Sequence, residues 1–261
     1  MTLRRYFVVG TPIADSLSPA LHNAVYQELG LPRILEPYDP IDVAGFESFL
    51  QAIRQDDQVG GACVTLPYKV RAAELCDTLT ETARRIGAVN YLRREADGTL
   101  TGENTDAAGF RSSLYLELGL EPRGLRVCVC SSGGVSRAIV DALQQGGAAE
   151  VQVVSRRGSF TYADLLAAPN TYDLLVNATP LGMTGDTMVV PPEWAHSSVK
   201  AVFDAVYRRT GTTPLVAEAR RLELAACDGR SMLIEQAIKG MCFWGIDGDE
   251  AALRSIMRTV I

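Results

Sequence analysis

The segment LRVCVCSSGGVSRAIVDALQQGGAAEVQVVSRR, residues 125–157, decides the fold of this chain. It begins with an apolar strand, 125–130, and passes through a turn of small residues into a helix that ends at Gly146-Gly147. A second apolar strand follows at 151–154. Strand, helix and strand in this order predict a βαβ unit with parallel strands and a right-handed crossover.

The turn between this strand and helix suits an anionic ligand. Backbone N–H groups and the positive end of the helix meet there, which favours a pyrophosphate. A complete Gly-x-Gly-x-x-Gly pattern would place glycine at position 131, where this chain has serine. The pattern by itself is equally consistent with a tight turn that binds no ligand. If the turn does bind a dinucleotide, the predicted contacts with it are Ser131, Ser132, Gly133 and Gly134.

The residues after the second strand indicate which dinucleotide would bind. An acidic residue at this place binds the ribose 2′-hydroxyl in NAD sites. This chain has Ser155, Arg156 and Arg157 there, and two guanidinium groups suit a 2′-phosphate. NADP(H) is therefore predicted in preference to NAD(H), with a solvated surface pair of arginines as the alternative.

Short apolar runs alternate with helical segments on both sides of this unit, which predicts an α/β protein with a parallel sheet covered by helices. Ser18 is predicted to cap the first helix, with Pro19 at its first position. The predicted strands lie at 6–9, 60–65, 87–92, 173–177 and 199–204, and the predicted helices at 18–29, around 46–53, and at 72–85, 107–118 and 231–261.

Composition excludes several classes of protein. The chain has 261 residues, which fits one large or two modest domains, and a net charge of −6, which argues against nucleic acid or an anionic membrane as the main partner. No apolar run reaches the roughly 18 residues of a membrane helix, and no signal peptide is recognised, so a cytoplasmic location is expected. The six cysteines lack partners at metal-ligand spacing, so reduced thiols and no metal site are predicted.

Six short motifs follow one another along the chain. Together they resemble the shikimate dehydrogenase family over residues 7 to about 245. The motifs are GTPIADSLSPALHN (10–23), VTLPYK (64–69), GAVN (87–90), NTDAAGF (104–110), NATPLGM (177–183) and MLIEQA (232–237).

The resemblance implies a fold of two domains. The N-terminal α/β substrate domain would comprise 1–105, joined by the returning C-terminal helices, 230–261, and the Rossmann-like NADP domain would comprise 106–229. The implied activity is reversible reduction of 3-dehydroshikimate to shikimate with NADPH, a step of aromatic amino-acid biosynthesis. The implied partner is a small shikimate-type hydroxy acid, and the implied state is a monomer or homodimer.

The same resemblance assigns roles to residues. Lys69 and Asp106 become the acid/base pair, which suits the chemistry because reducing a ketone builds negative charge on oxygen that an ammonium can stabilise. Ser16 and Ser18 are assigned to the substrate carboxylate. The residues assigned to the ring hydroxyls or the reacting oxygen are Thr65, Asn90, Asp106 and Gln236. Tyr207 is placed near the substrate and the nicotinamide. The further residues assigned to the cofactor are Thr179, Met183 and Ser231.

Five positions depart from the usual pattern of the family. Asp15, Cys63 and Tyr91 affect the substrate pocket, whereas Ser131 and Ser231 replace glycines near the cofactor. These changes keep open a paralogue that acts on quinate or an aminated shikimate, and a shikimate-binding pseudo-enzyme with weak cofactor binding. Of the two histidines, His22 lies on the first helix and is predicted to be structural.

Overall fold

A computed structural model of the chain describes residues 2–131, 133–167, 172–191, 199–246 and 248–261. The chain divides into two compact units, a first unit of Met1–Asp106 with Ile234–Ile261 and a second unit of Ala107–Leu233. The predicted domain boundaries differ slightly, because the structure groups Asp106 with the first unit and residues 230–233 with the second.

The described elements alternate between strands and helices along most of the chain. No helix within the described ranges is both long and apolar enough to cross a membrane. In chain order the elements are β1 (Arg4–Val9), α1 (Ser18–Glu28), β2 (Arg33–Tyr38), α2 (Val43–Gln55), β3 (Val59–Val64), α3 (Lys69–Leu75), β4 (Thr78–Leu79), α4 (Glu81–Ile86), β5 (Tyr91–Arg94), β6 (Leu100–Glu103), α5 (Asp106–Leu118), β7 (Arg126–Cys130), α6 (Gly134–Gln145), β8 (Glu150–Val154), α7 (Tyr162–Ala167), β9 (Leu174–Asn177), β10 (Ala201–Asp204), α8 (Pro214–Arg221), β11 (Ala225–Cys227), α9 (Arg230–Phe243) and α10 (Glu250–Arg258).

The sheet of the first unit is mixed, not parallel as the sequence predicts. Its strand order is β2-β1-β3-β5-β6-β4. β1 runs parallel to β2 and β3, whereas β5 pairs antiparallel with both β3 and β6. The reversal between β5 and β6 occurs at Asp97-Gly98, where Gly98 has a φ of +86°. A tight turn joins neighbouring strands antiparallel, and this accounts for the pairing of β5 with β6.

Strand β2 is absent from the prediction. It lies at the edge of the sheet and pairs only with β1. Pro37 lies within it, and an edge strand tolerates proline because one side of the strand has no ladder to complete. Leu35 is the only residue of β2 that is buried, so the alternating apolar signal of a strand is weak.

The single helix predicted over 72–85 is wrong. α3 ends at Leu75, and the chain then forms β4, which pairs with β6. A new helix, α4, begins after Thr80, whose hydroxyl accepts a hydrogen bond from the Ala83 N–H at 3.2 Å. Sheet pairing and this helix cap override the helical period of the sequence.

The second unit contains the predicted βαβ unit in a five-stranded sheet. The strand order is β11-β10-β9-β7-β8, and every pairing is parallel. The α/β class and the Rossmann-like sheet are thereby confirmed. From β7 the chain turns first to β8 and then to the opposite side, to β9, so the strand order reverses beside β7. Ligands of such sheets bind at the carboxyl ends of strands at this reversal.

Candidate active site

Segments from distant parts of the sequence meet in the first unit at the edge of the sheet formed by the carboxyl ends of β1 and β3. The Thr65 N–H donates to the Val9 carbonyl at 2.9 Å, which ties the ends of β3 and β1 together. The Val64 N–H donates to the Asn90 carbonyl at 2.8 Å, which brings in the start of β5. This edge therefore holds residues from two of the motifs, VTLPYK and GAVN.

A buried ion pair lies at this edge. Lys69 is the first residue of α3 and Asp106 the first of α5. The Lys69 Nζ donates to Asp106 Oδ2 at 2.6 Å, and the two residues are only 8% and 4% exposed. Charges this buried persist when they are paired and hydrogen-bonded. The pair thus holds an ammonium in one place, as an acid/base group requires.

Asn90 connects this pair to the C-terminal helix. Its amide nitrogen lies 3.0 Å from Asp106 Oδ1 and 3.2 Å from Gln236 Oε1. The amide oxygen accepts from the Thr105 N–H at 2.8 Å, so the orientation of the side chain is fixed. Four predicted residues are therefore brought together, and this active-site cluster comprises Lys69, Asn90, Asp106 and Gln236.

Asn104 and Thr105 support the cluster, although neither was among the assigned site residues. Asn104 Oδ1 accepts from the Asp106 N–H at 3.1 Å, and its Nδ2 donates to the Ala88 carbonyl at 2.9 Å. Both residues are buried. Asparagine and threonine before a helix are ordinary turn and cap residues, so only their place in the NTDAAGF motif marked them in the sequence.

Thr65 follows β3 at this edge, and the loop after β1, which carries Ser16 and leads to Ser18 at the start of α1, is joined to it where the Thr11 N–H donates to the Leu66 carbonyl at 3.0 Å. The predicted helix cap at Ser18 is wrong, because Ser18 is the first helical residue and follows Leu17 at the cap position. The Ser16 hydroxyl instead accepts from the Ser18 N–H at 3.3 Å. Ser18 is buried, and Ser16 and Thr65 are half-buried.

Burial leaves the groups beneath this edge uncharged at neutral pH. Complete burial lowers the pKa of His22 to about 4, and the same cause raises the pKa of the Cys63 thiol to about 12. A neutral imidazole and a neutral thiol cannot supply charge to a reaction here. Lys69 and Asp106 remain the charged pair of the cluster.

The turn after β7 in the second unit has an unusual backbone. Ser131 has a φ of +129°, a region that favours glycine. Its N–H donates to the Val154 carbonyl at 2.9 Å, and the Ser136 hydroxyl donates to its carbonyl at 2.7 Å, so the conformation is held from both sides. Ser132 lies outside the described residues. Gly133 precedes α6 and provides no side-chain cap, and the N–H groups at the start of a helix suit an anion such as a pyrophosphate.

The arginines after β8 fit a phosphate. Arg156 and Arg157 are both exposed, and neither makes a hydrogen bond or ion pair with the described part of the chain. Ser155 precedes them and donates its N–H to the Phe160 carbonyl at 3.2 Å. No carboxylate occurs among these three residues, so a 2′-phosphate would meet only positive charge.

The remaining predicted site residues, three for the cofactor and Tyr207 for the substrate, lie in three places in the second unit. Thr179 follows β9, where its hydroxyl donates to Asn177 Oδ1 at 2.7 Å, and Met183 is 43% exposed in the same loop. Tyr207 follows β10 and is half-buried. Ser231 lies in the first turn of α9 and is 9% exposed. β9 and β10 are neighbouring parallel strands, so the first two of these places share a sheet edge.

Asp204 organises this edge, and the sequence motifs did not reveal its role. It accepts from Thr213 Oγ1 at 2.7 Å, from Asn177 Nδ2 at 2.9 Å and from the Val206 N–H at 3.1 Å. Burial raises the pKa of the Asp204 carboxyl to about 6, against the opposing effect of these donors. Asp204 thereby fixes the loops that carry Thr179 and Tyr207.

Known proteins resemble this chain in both sequence and fold. The family model "Shikimate dehydrogenase substrate binding domain" matches residues 8–92. A Shikimate dehydrogenase (NADP(+)) of Rubrobacter xylanophilus is 38% identical over 269 residues, covering 95% of this chain and 93% of the relative. The crystal structure of shikimate dehydrogenase 1 from Peptoclostridium difficile has a TM-score of 0.90 and 26% identity, covering 98% of this chain and 97% of that one.

A second solved structure carries ligands. Shikimate 5-dehydrogenase from Thermus thermophilus, in complex with NADP(H) and shikimate, has a TM-score of 0.83 and 30% identity, covering 99% of this chain and 100% of that one. The sequence and structural matches extend over nearly the whole chain and confirm the resemblance of the six motifs. This chain belongs to the shikimate dehydrogenase family.

Proposed function

We propose that this protein is an NADP-dependent oxidoreductase that reversibly reduces 3-dehydroshikimate to shikimate. The observation that carries the proposal is the buried pair of Lys69 and Asp106, 2.6 Å apart within the active-site cluster. The substrate and cofactor are supported by relatives named Shikimate dehydrogenase (NADP(+)). The proposal includes a cytoplasmic location and a monomeric or homodimeric state.

Lys69 and Asp106 supply the proton chemistry. Reduction of a ketone adds a hydride to the carbonyl carbon and a proton to its oxygen, and NADPH supplies the hydride when it is bound. The Lys69 ammonium stabilises negative charge on that oxygen and donates the proton. Asp106 holds the ammonium in position, and in the reverse direction Lys69 accepts the proton.

The surrounding side chains orient the substrate. Asn90, Gln236 and Thr65 hydrogen-bond the ring hydroxyls, and Ser16 and Ser18 hydrogen-bond the carboxylate. Hydroxyl and amide groups suit this task because they donate and accept without adding charge near the reacting carbon.

The second unit holds the cofactor through three groups of residues. Ser131, Gly133 and Gly134 contact the pyrophosphate, and Arg156 with Arg157 contacts the 2′-phosphate. Thr179, Met183, Tyr207 and Ser231 line the nicotinamide end. The strained backbone of Ser131 favours a second candidate, a shikimate-binding protein with weak cofactor affinity, because a side chain stands where the turn favours glycine.

Steady-state oxidation of NADPH tests the proposal. The purified protein is assayed with 3-dehydroshikimate and with 3-dehydroquinate, and the reverse reaction is followed with shikimate and quinate. We expect the highest kcat/KM with 3-dehydroshikimate. A preference for the quinate pair would identify a quinate-type paralogue, and shikimate binding without turnover would identify the pseudo-enzyme.

A further inference from the structure

Two of the departures from the family pattern meet at one histidine. Cys63 on β3 and Tyr91 on β5 are direct partners in the antiparallel register. The Tyr91 hydroxyl lies 2.9 Å from His22 Nε2, and Cys63 Sγ lies 3.9 Å from the same nitrogen. All three residues are buried, so these polar atoms depend on one another for hydrogen bonds.

The partners of the two ring nitrogens of His22 determine which nitrogen donates a hydrogen bond and which accepts one. His22 Nδ1 lies 2.8 Å from the Ser18 carbonyl oxygen, which can only accept, so Nδ1 carries the proton. The neutral ring then accepts at Nε2, and the Tyr91 hydroxyl donates to it. A continuous chain of bonds thus leads from Tyr91 through His22 to the first residue of α1.

Tyr91 also determines how α9 packs. A Cβ added at Gly240 would lie 2.0 Å from Tyr91 Cζ, so the absence of a side chain at Gly240 makes room for the tyrosine ring. Gly240 lies one helical turn after Gln236 on the same helix. Tyr91 therefore contacts both α1 and α9, and it directly follows Asn90 of the active-site cluster in the chain.

We infer that Tyr91, acting through His22, is a positioning residue for the substrate carboxylate. It fixes the first turn of α1, with Ser18 and the neighbouring Ser16, relative to Asn90 and Gln236. The inference rests on the proposed function, in which these two serines bind the carboxylate.

Removing one hydroxyl tests this role. Tyr91→Phe keeps the ring and breaks the bond to His22. We expect the Kd for shikimate, measured by calorimetry, to rise about fivefold, because His22 Nε2 loses its nearer donor and keeps only the Cys63 thiol at 3.9 Å. KM should rise in parallel while kcat stays within about twofold, because the carboxylate is remote from the reacting carbon. Shikimyl alcohol, which lacks the carboxylate, should lose less affinity than shikimate.

Tyr26→Phe is the matched control. The Tyr26 hydroxyl is buried without a hydrogen-bond partner in the described residues, and its ring lies 6.2 Å from that of His22. Its removal should leave the Kd for shikimate unchanged. An equal rise in Kd for both phenylalanine variants would overturn the inference.

A second variant keeps the test decisive if Tyr91→Phe does not fold. In His22→Asn the amide can still donate to the Ser18 carbonyl but no longer reaches Tyr91, so this variant by itself should raise the Kd for shikimate. If Tyr91→Phe does fold, adding it to His22→Asn should raise the Kd no further. If the unmodified protein binds shikimate and neither Tyr91→Phe nor His22→Asn changes the Kd, the inference about Tyr91 is overturned and the proposed function stands. If the unmodified protein bound no shikimate, both the inference and the proposed function would fall.

Discussion

The two units prepare their proposed ligand sites in different ways. In the first unit the active-site cluster is buried, and its side chains hydrogen-bond one another. In the second unit Arg156 and Arg157 are exposed, and neither makes a hydrogen bond or ion pair with the described residues. The first site is built by folding alone, whereas the arginines gain partners only when a ligand arrives. Substitutions should therefore affect catalysis in the first unit and cofactor choice in the second.

The largest expected effect is that of removing the Lys69 ammonium from the active-site cluster of the first unit. Lys69→Ala should lower kcat by about 10²-fold or more with a smaller change in KM, because the ammonium acts mainly in the transition state. Lys200→Ala is the matched control, because Lys200 pairs with Asp173 at the same 2.6 Å while its side chain is 80% exposed. Near-normal kcat in Lys69→Ala would remove Lys69 from the mechanism.

A fall in pH should lower the stability of the first unit and raise the stability of the second. His22 has a pKa of about 4 against an ordinary 6.5, so the folded first unit binds fewer protons than the unfolded chain. The stability present above pH 6.5 is lost as the pH falls toward 4, by about 2 kcal/mol between pH 6.5 and 5. Asp204 has a pKa of about 6 against 3.8, so its unit gains roughly 1 kcal/mol as the pH falls from 6 to 5.

Hydrogen exchange, corrected for intrinsic rates, measures this difference. Between pH 7.5 and 5, amides of the first unit should lose protection and amides of the second should gain it. His22→Asn should abolish the first trend and Asp204→Asn the second. Parallel changes in both units would contradict the assignment of these two groups.

The preference for NADP(H) over NAD(H) tests the role of the two exposed arginines in the second unit. The double variant Arg156→Ala with Arg157→Ala should erase a preference for NADP(H) that we expect to be at least about tenfold in kcat/KM. Turnover with NAD(H) should change little. Arg220→Ala with Arg221→Ala, an adjacent pair on α8, serves as the control. Equal use of both cofactors by the unmodified protein would show that Arg156 and Arg157 are only a surface pair.

The smallest effect concerns the strained turn. Ser131→Gly should raise the free energy of unfolding by about 1 kcal/mol, because glycine adopts a φ of +129° without a side-chain clash. Denaturant unfolding measures the change, and Ser131→Ala, which keeps the Cβ, should show no gain. A higher affinity of Ser131→Gly for NADPH would support the candidate with weak cofactor binding.

Local sequence patterns predicted the second unit better than the first. The strands β7 and β8 and the helix between them follow directly from apolar runs and small turn residues, because consecutive elements of a βαβ unit need no distant information. In the first unit, β2 and β6 were missed and one helix was predicted where α3 and α4 exist; in the second unit, α8 and the edge strand β11 were missed. Each of the errors in the first unit, like the missed β11, involves pairing with a strand elsewhere in the chain, which a local pattern does not contain.

The sequence by itself determined the α/β class and the family, and it predicted the residues of the active-site cluster, because these depend on short-range periodicity and on motifs. Only the tertiary structure decided that Asn90 Nδ2 lies 3.2 Å from Gln236 Oε1, 146 residues away, and that the same amide nitrogen contacts Asp106. It also decided the contacts of Tyr91 with His22 and Gly240. Such contacts depend on strand register and helix packing, which are set by burial of the whole core and not by any one segment.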